Sequence, residues 1–444
     1  MKRVGVLGLA ITGRAVARAL AARGIAVVLA DDRVSAEHRA LAAEVGADLH
    51  DSSSPAGPEA FLDGVDTLLP APGVPPLHPV IVRALAEGIP VRTEIDVAYE
   101  WEQSRPGGPR PVLGVTGTDG KTTTTMVTAH LLRSTGRDVA EVGNTDLPFM
   151  AALDGPHDAF VVECSSFRLQ FTDHFRCDAS VWLNLAPDHL DWHGDLASYT
   201  AAKARLWAHV RTDDVVVAPE GDTVIVESAR RSAGRLVTFG LEKGDYRVES
   251  GNLVGPRGPI APVADMWRAM PHDLTNSLAA AALVIESGMV PTGSLAGPLG
   301  DFVPAHHRIE HVGTHAGSEW YDDSKATSPH AALTAIRAFD RLVLIAGGRN
   351  KDLDLSQMAG EPHRMEGVVA IGDDAPAIEA AFAGVCPVVR ANDMASAVAA
   401  AASMARPGVA VLLSPGCTSY DWYRNYNERG EDFVRHVRQH FGGA

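Results

Sequence analysis

Leu113-Gly114-Val115-Thr116-Gly117-Thr118-Asp119-Gly120-Lys121-Thr122-Thr123 decides how this 444-residue chain is read. An apolar strand, Pro111 to Val115, runs into a glycine-rich turn. A lysine and a hydroxyl residue follow, then a helical run from Thr122 through Leu132. This is the build of a phosphate-binding loop. Glycines let backbone N–H groups converge on phosphate oxygens, the helix N-terminus adds positive potential, and the lysine reaches the outer phosphates. Thr122 is placed to ligate Mg²⁺. The match to G-x-x-x-x-G-K-[ST] is incomplete, because Val115 holds the first glycine position.

Alternating strands and helices extend on both sides, which predicts α/β architecture with mostly parallel sheets covered on both faces. Residues 1 to about 105 open with the strand Arg3–Leu7, a tight turn Gly8 to Gly13, and a helix from Arg14 to Ala22. A second strand, Ile25 to Ala30, ends at Asp31-Asp32-Arg33. That is a Rossmann-like opening, which places a nucleotide at the carboxyl ends of its strands. Gly8-x-Ala10-x-x-Gly13 has alanine at its middle position, and a turn serving only packing would look similar. Pro70-Ala71-Pro72-Gly73-Val74-Pro75 forms a rigid loop fit to line the same pocket. Gln103 to Pro111, rich in proline and glycine, reads as a linker.

The central segment carries two more strands that end in chemistry: Ala159 to Ser166 with Glu163, and Ala179 to Leu185 leading to Asp188-His189. Thr122, Glu163 and His189 each follow a strand and are expected to converge as Mg²⁺ ligands. Lys203 lies within the predicted helix Ser198 to Val210, where a solvated lysine is the common case. The last segment holds Asp323-Ser324-Lys325, the strand Arg341 to Ala346 with Lys351 beyond it, and the strand Val409 to Leu413 followed by Ser414 to Ser419. Before any comparison, its charges also fit ordinary surface residues. The predicted fold is therefore three domains: a Rossmann-like N-terminal domain over 1–108, a central P-loop mononucleotide-binding domain over 109–302, and a Rossmann-like C-terminal domain over 303–444.

Composition narrows the function. Hydrophobic residues make up 46% and charged residues 21% of the chain, as in an ordinary globular enzyme. A formal net charge of −16 argues against nonspecific nucleic-acid binding. The four cysteines form no CxxC pair, so neither a zinc knuckle nor a disulfide framework is indicated. No apolar run is long enough to span a bilayer, and a cytoplasmic protein is expected.

Taken in order, the motifs resemble those of the Mur ligases of peptidoglycan synthesis. Gly117 to Thr123 is similar to that family's GTNGKT loop, with Asp119 where asparagine is usual. Glu163-Cys164-Ser165-Ser166-Phe167-Arg168-Leu169 resembles its ELSSFQL segment. Asp188-His189-Leu190-Asp191 with Tyr199 to Lys203 resembles its DHLD…Y-x-A-A-K block. Asp323-Ser324-Lys325-Ala326-Thr327 resembles DSKAT, and Ser414-Pro415-Gly416-Cys417-Thr418-Ser419-Tyr420-Asp421 resembles SPACAS-x-D. The last two together resemble the member that adds D-glutamate.

The resemblance implies an ATP-dependent ligase acting on UDP-N-acetylmuramoyl-L-alanine and D-glutamate, with ATP as co-substrate, two Mg²⁺ ions and a monomeric state. It implies catalytic roles for Lys121, Glu163, His189 and Lys203. Gly117, Thr118, Asp119, Gly120, Lys121, Thr122, Thr123, Asn276, Arg308 and Asp323 would bind ATP. Ile11, Thr12, Asp32, Arg33, Ala71, Pro72, Gly73 and Asn144 would bind the UDP substrate. His189, Lys325, Thr327, Lys351, Ser419 and Tyr426 would surround D-glutamate. Thr122, Glu163, His189 and Lys203, the last as a carbamate, would hold the metals. The domains would take the UDP substrate, ATP and the amino acid respectively.

Departures from the pattern stand at Ala71, where serine is usual, at Asp32, where a neutral hydroxyl residue is usual, and at Asp273, where asparagine is usual. Other readings are an L-glutamate-adding relative, a non-catalytic nucleotide-binding module, and an NAD-dependent oxidoreductase built on the first turn.

Overall fold

A computed structural model describes residues 1–351 and 353–442. Residue 352, residues 443–444 and the side chain of Asp191 lie outside that description. The chain forms two compact units. One comprises Met1–Leu185, Trp192–Ala269 and Asp273–Phe302, the other Ala186–Asp191, Met270–His272 and Val303–Ala444.

The first unit holds two parallel sheets. Strands β1 (Arg3–Leu7), β2 (Ala26–Asp31), β3 (Asp48–Asp51) and β4 (Thr67–Pro70) order as β3-β2-β1-β4. Strands β5 (Val112–Thr116), β6 (Val139–Gly143), β7 (Ala159–Glu163), β8 (Ala179–Trp182), β9 (Val215–Pro219) and β10 (Arg235–Phe239) order as β10-β9-β8-β5-β7-β6. A small antiparallel sheet follows, made of β11 (Arg247–Glu249), β12 (Asn252–Gly255) and β13 (Gly258–Pro262).

Strands β5, β7 and β8 are buried at every position, so apolar residues predominate along them without polar alternation. Alternation reappears in which core each residue enters. Val112, Phe160 and Val162 join a cluster with Val4, Val6 and Leu20 of the first sheet's layer. Leu113, Val115 and Val161 point the other way, into a cluster with Leu278 and Leu283 of the helix Pro271–Glu286. One apolar core therefore runs from the first sheet to the second, which is why both fall in one unit.

The proline- and glycine-rich stretch expected to be a linker is stitched down at its end. Arg110 is buried and donates to Glu102 Oε2 at 2.7 Å and to the carbonyls of Leu153 at 2.7 Å and Gly155 at 3.0 Å. The first helix also differs from expectation. It begins at Ile11, not Arg14, and takes Gly13 inside. A Cβ at Gly13 would stand 1.9 Å from the Gly8 carbonyl oxygen, so the helix starts this tightly only because position 13 has no side chain.

The second unit carries β14 (Glu310–His315), β15 (Ser318–Asp322), β16 (Leu342–Gly347), β17 (Met365–Ile371), β18 (Val388–Arg390) and β19 (Ala410–Leu413). Their order is β14-β15-β19-β16-β17-β18, with β14 antiparallel at one edge and the rest parallel. The three-domain α/β plan read from the sequence is the plan of the protein. Among the described residues, no helix is long and apolar enough to cross a membrane.

Candidate active site

The phosphate loop joins β5 to the helix Lys121–Arg133. Gly120 is that helix's N-cap with φ of +79°, and a Cβ there would meet Asn276 Oδ1 at 2.6 Å. Conformation and space both require glycine. The side chain of Asn184, just after β8, accepts from the Thr118 and Asp119 N–H groups, each at 2.9 Å. Those two N–H groups are thus spent on holding the loop, and the helix's first turn begins at Gly120. Lys121 Nζ lies back over the loop, donating to the Gly117 carbonyl at 2.9 Å and the Thr118 carbonyl at 2.7 Å. Asn276 accepts from Thr124 Oγ1 at 3.3 Å and so borders the same turn. Thr122 and Thr123 open the helix itself.

Lys203 is buried, unlike the common solvated helix lysine. The predicted helix ends earlier, at Ala204, so Lys203 falls in its last turn, 1% exposed. Its Nζ donates to the Gly117 carbonyl at 2.6 Å and stands 4.5 Å from the centroid of the Tyr199 ring. Tyr199 in turn bonds Thr118 Oγ1 at 3.2 Å. Two ammonium groups, from Lys121 and Lys203, therefore meet at one carbonyl of the phosphate loop. Glu163 is buried at the end of β7; Asn144 Nδ2 donates to its Oε1 at 2.8 Å, while its Oε2 has no hydrogen-bond partner. An orphaned buried carboxylate oxygen is costly unless something positive completes it. His189 belongs to the second unit, so the expected ligand set of Thr122, Glu163, His189 and Lys203 is divided between units. Its backbone has φ of +54°, and its Nε2 lies 3.3 Å from Asp188 Oδ2.

The strand ends of the first sheet enclose a cavity of about 410 Å³. Ile11, Thr12, Asp32, Ala71, Pro72 and Gly73 line it, Arg33 is not among its lining residues, and Asn144 sits beside Glu163. Its other polar lining is Asp31, His78 and Arg168. His78 Nε2 is 3.1 Å from Asp32 Oδ1, and Ser52 Oγ donates to the same oxygen at 2.8 Å. Partial burial pushes the Asp32 carboxyl up, but these hydrogen bonds outweigh it and hold it below the usual range. The unusual carboxylate at Asp32 is thus accommodated. So is Asp273, which is buried and receives Arg268 Nε at 2.6 Å.

In the second unit, Arg429 ties the motif loops together. Its buried guanidinium donates to Ser324 Oγ at 3.0 Å, the Ser324 carbonyl at 2.8 Å and the Cys417 carbonyl at 3.1 Å. Asp323 is buried and accepts from Ser414 Oγ at 2.7 Å and Ile309 N–H at 3.2 Å. Burial pushes its carboxyl up to about 7, against the lowering pull of Ser414 and Arg308. Lys325 Nζ stands 5.3 Å from the Tyr426 ring centroid. Thr418 N–H donates to the Arg349 carbonyl at 2.9 Å, which brings the loop of Ser419 beside that of Lys351. Lys351 lines a cavity of about 390 Å³ with His330 and Gln357. Thr327 follows the same loop as Lys325 and is half-buried.

Comparison with known proteins agrees with this geometry. Residues 2–93 match the Mur ligase MurD-like N-terminal domain, 115–259 the Mur ligase middle domain, and 307–417 the Mur ligase glutamate ligase domain. The UDP-N-acetylmuramoylalanine–D-glutamate ligase of Frankia casuarinae is 38% identical, covering 98% of this chain and 94% of its own. The protein of the same name from Thermobifida fusca is 37% identical, with 98% of each chain covered. The chain belongs to the Mur ligase family. The crystal structure of the UDP-N-acetylmuramate–alanine ligase of Thermotoga maritima has the same fold, with a TM-score of 0.60 over 99% of both chains at 18% identity. Of the pocket residues, His78 lies in no motif, and Arg168 lies in the ELSSFQL-like stretch without having been given a role. His78 lies 46 residues from its partner Asp32, and no local pattern links the two.

Proposed function

We propose that the protein is an ATP-dependent ligase that joins D-glutamate to UDP-N-acetylmuramoyl-L-alanine in peptidoglycan precursor synthesis. Family membership supports the ligase class, and relatives named for this reaction align along nearly the whole chain. The geometric observation that carries the reading is the meeting of Lys121 and Lys203 at the Gly117 carbonyl of a helix-capped phosphate loop.

In the proposed reaction the γ-phosphate of ATP passes to the alanyl carboxylate, giving an acyl phosphate and ADP. The amine of D-glutamate attacks that carbonyl carbon, and the tetrahedral intermediate expels phosphate as the amide forms. Such catalysis rests mainly on positioning and on charge stabilisation. Lys121 and the N–H groups from Gly120 onward would hold the transferring phosphates. Ile11, Thr12, Asp32, Ala71, Pro72 and Gly73 would hold the uridine end, while Lys325, Thr327, Lys351, Ser419 and Tyr426 would receive glutamate. The donor set fits Mg²⁺: the Thr122 hydroxyl, the unpaired Glu163 Oε2, and Lys203 if it reacts with CO₂ to give a carbamate and a proton. When bound, Mg²⁺ would offset phosphate charge. We place the domain borders at 108/109 and 302/303, and the protein in the cytoplasm.

Phosphate release from ATP and UDP-N-acetylmuramoyl-L-alanine, measured with each glutamate enantiomer, tests the reading. Release with D-glutamate alone is the expected result. A preference for L-glutamate would keep the chemistry and overturn the substrate. Release with neither would overturn the ligase.

A further inference from the structure

Arg168 brings the only full positive charge among the residues lining the sugar-nucleotide cavity. It stands where the family motif has a neutral glutamine. The guanidinium is 5% exposed, and its contacts are directional: Nη1 donates to Glu94 Oε2 at 3.0 Å and Nη2 to Thr12 Oγ1 at 3.1 Å. Its Nε is buried without a partner. Because Thr12 Oγ1 accepts from Arg168, the Thr12 hydroxyl proton is left to donate elsewhere. Thr12 lies in the first turn of the helix Ile11–Ala22, whose N-cap, Ala10, offers no side-chain acceptor. Ala10, Ile11 and Thr12 all line the cavity, so the helix's N-terminal turn borders it.

The two carboxylates of the cavity are held by other donors, and the buried carboxylate that pairs with Arg168 is Glu94. Asp31 accepts from Leu9 N–H at 2.7 Å and Arg33 N–H at 2.9 Å, and Asp32 is held by Ser52 and His78. Ala71, where a hydroxyl donor is absent, lines both this cavity and a small recess shared with Arg168 and Thr93. Thr93 Oγ1 is also buried without a partner.

We propose that Arg168 is a specificity-determining positioning residue for the diphosphate of the sugar nucleotide. It fixes the Thr12 hydroxyl as a donor toward the diphosphate, presents a guanidinium backed by Glu94 beside the helix N-terminus, and makes up for the hydroxyl missing at Ala71. The inference rests on the proposed sugar-nucleotide reading of the cavity. It makes this chain's pocket depend on charge at a position where the family pattern is neutral.

The test compares uridine and UDP as ligands of the full-length protein, by calorimetry or by competition against UDP-N-acetylmuramoyl-L-alanine, at two salt concentrations. Arg168→Gln should weaken UDP about 10–100-fold, the range of a lost charge-assisted contact, and leave uridine within about twofold. Salt should move the UDP affinities of wild type and variant alike, because the Arg168–Glu94 pair is buried and weakly screened. Arg168→Gln strands Glu94, so the paired variant Glu94→Gln/Arg168→Gln is measured beside it and should give the same UDP-to-uridine ratio. Adding Ala71→Ser to Arg168→Gln should recover part of the UDP affinity. Equal loss of uridine and UDP in both variants would mean that Arg168 only supports the pocket, and would overturn the proposal. So would unchanged UDP binding. Wild-type phosphate release reports separately on the ligase reading, since it can succeed while the Arg168 inference fails.

Discussion

At the residue scale, the site brings together charges that are unfavourable until a nucleotide arrives. Lys121 and Lys203 both donate to the Gly117 carbonyl. Like charges at such separation repel, and an anion bound at the loop relieves the repulsion. Lys121→Ala should therefore lower kcat by about 10²-fold or more, the scale for losing one preorganised charge contact. Single-turnover assays of the folded variant check this, and near wild-type turnover would refute the role. Lys203→Ala should be nearly inactive but partly rescued by acetate, which replaces a carboxylate ligand, and not by chloride at equal ionic strength. Asp323 offers a pH signature. Its folded pKa of about 7 lies above the ordinary carboxyl value, so the unfolded chain releases this proton first as pH rises. Its contribution is full below about pH 4 and is lost as pH climbs through about 7. The stability of wild type minus that of Asp323→Asn should fall over that window, as read from urea midpoints. A flat difference would show that the carboxylate stays charged in the fold.

At the element scale, the phosphate loop depends on Gly120 joining β5 to its helix. Gly120→Ala meets a positive φ and the oxygen of Asn276 together. It should cost about 1–2 kcal/mol of stability and raise the KM for ATP more than the KM for glutamate. Equal KM changes would point to general unfolding. The strand–loop–helix order here was legible because period, glycine and lysine all act within a dozen residues. Alternation of buried strands with helices likewise announced three α/β domains. Less legible was anything set by tertiary contact. Lys203 looks solvated in its own helix, yet its ammonium reaches the Gly117 loop, 86 residues away in sequence. The first helix starts at Ile11 because Gly13 packs on Gly8, a contact that helix-start signals do not encode. Arg110 looks like part of a linker until Glu102 and the carbonyls of Leu153 and Gly155 surround it. Arg168 sat inside a quoted motif, but its reach to Thr12 spans 156 residues.

At the scale of the whole molecule, the two units divide the residues expected to bind ATP: the loop and Asn276 lie in the first, Arg308 and Asp323 in the second. The phosphate loop and the sugar-nucleotide cavity belong wholly to the first unit, and the loops of Lys325, Lys351 and Ser419 to the second. A ligand that binds only the folded form stabilises the region that contacts it, by RT ln(1 + [L]/Kd). At one hundred times Kd this is about 2.7 kcal/mol, enough to slow exchange of amides that open locally by roughly a hundredfold. Hydrogen exchange read by mass spectrometry should therefore map each substrate to its own segments. UDP-N-acetylmuramoyl-L-alanine should protect peptides spanning 5–16 and 67–78, and a non-hydrolysable ATP analogue those spanning 114–126. D-Glutamate, added with both nucleotides, should add protection at 323–328, 347–351 and 414–420. Ser419 is 2% exposed beside the Lys351 loop, so Ser419→Ala should remove the glutamate-dependent protection and leave both nucleotide-dependent patterns intact. Loss of all three patterns would mean that the substitution unfolds more than the amino-acid loops. Glutamate protection unchanged by Ser419→Ala would remove Ser419 from the pocket. Protection by L-glutamate in place of the D enantiomer would assign the second unit to the other amino acid.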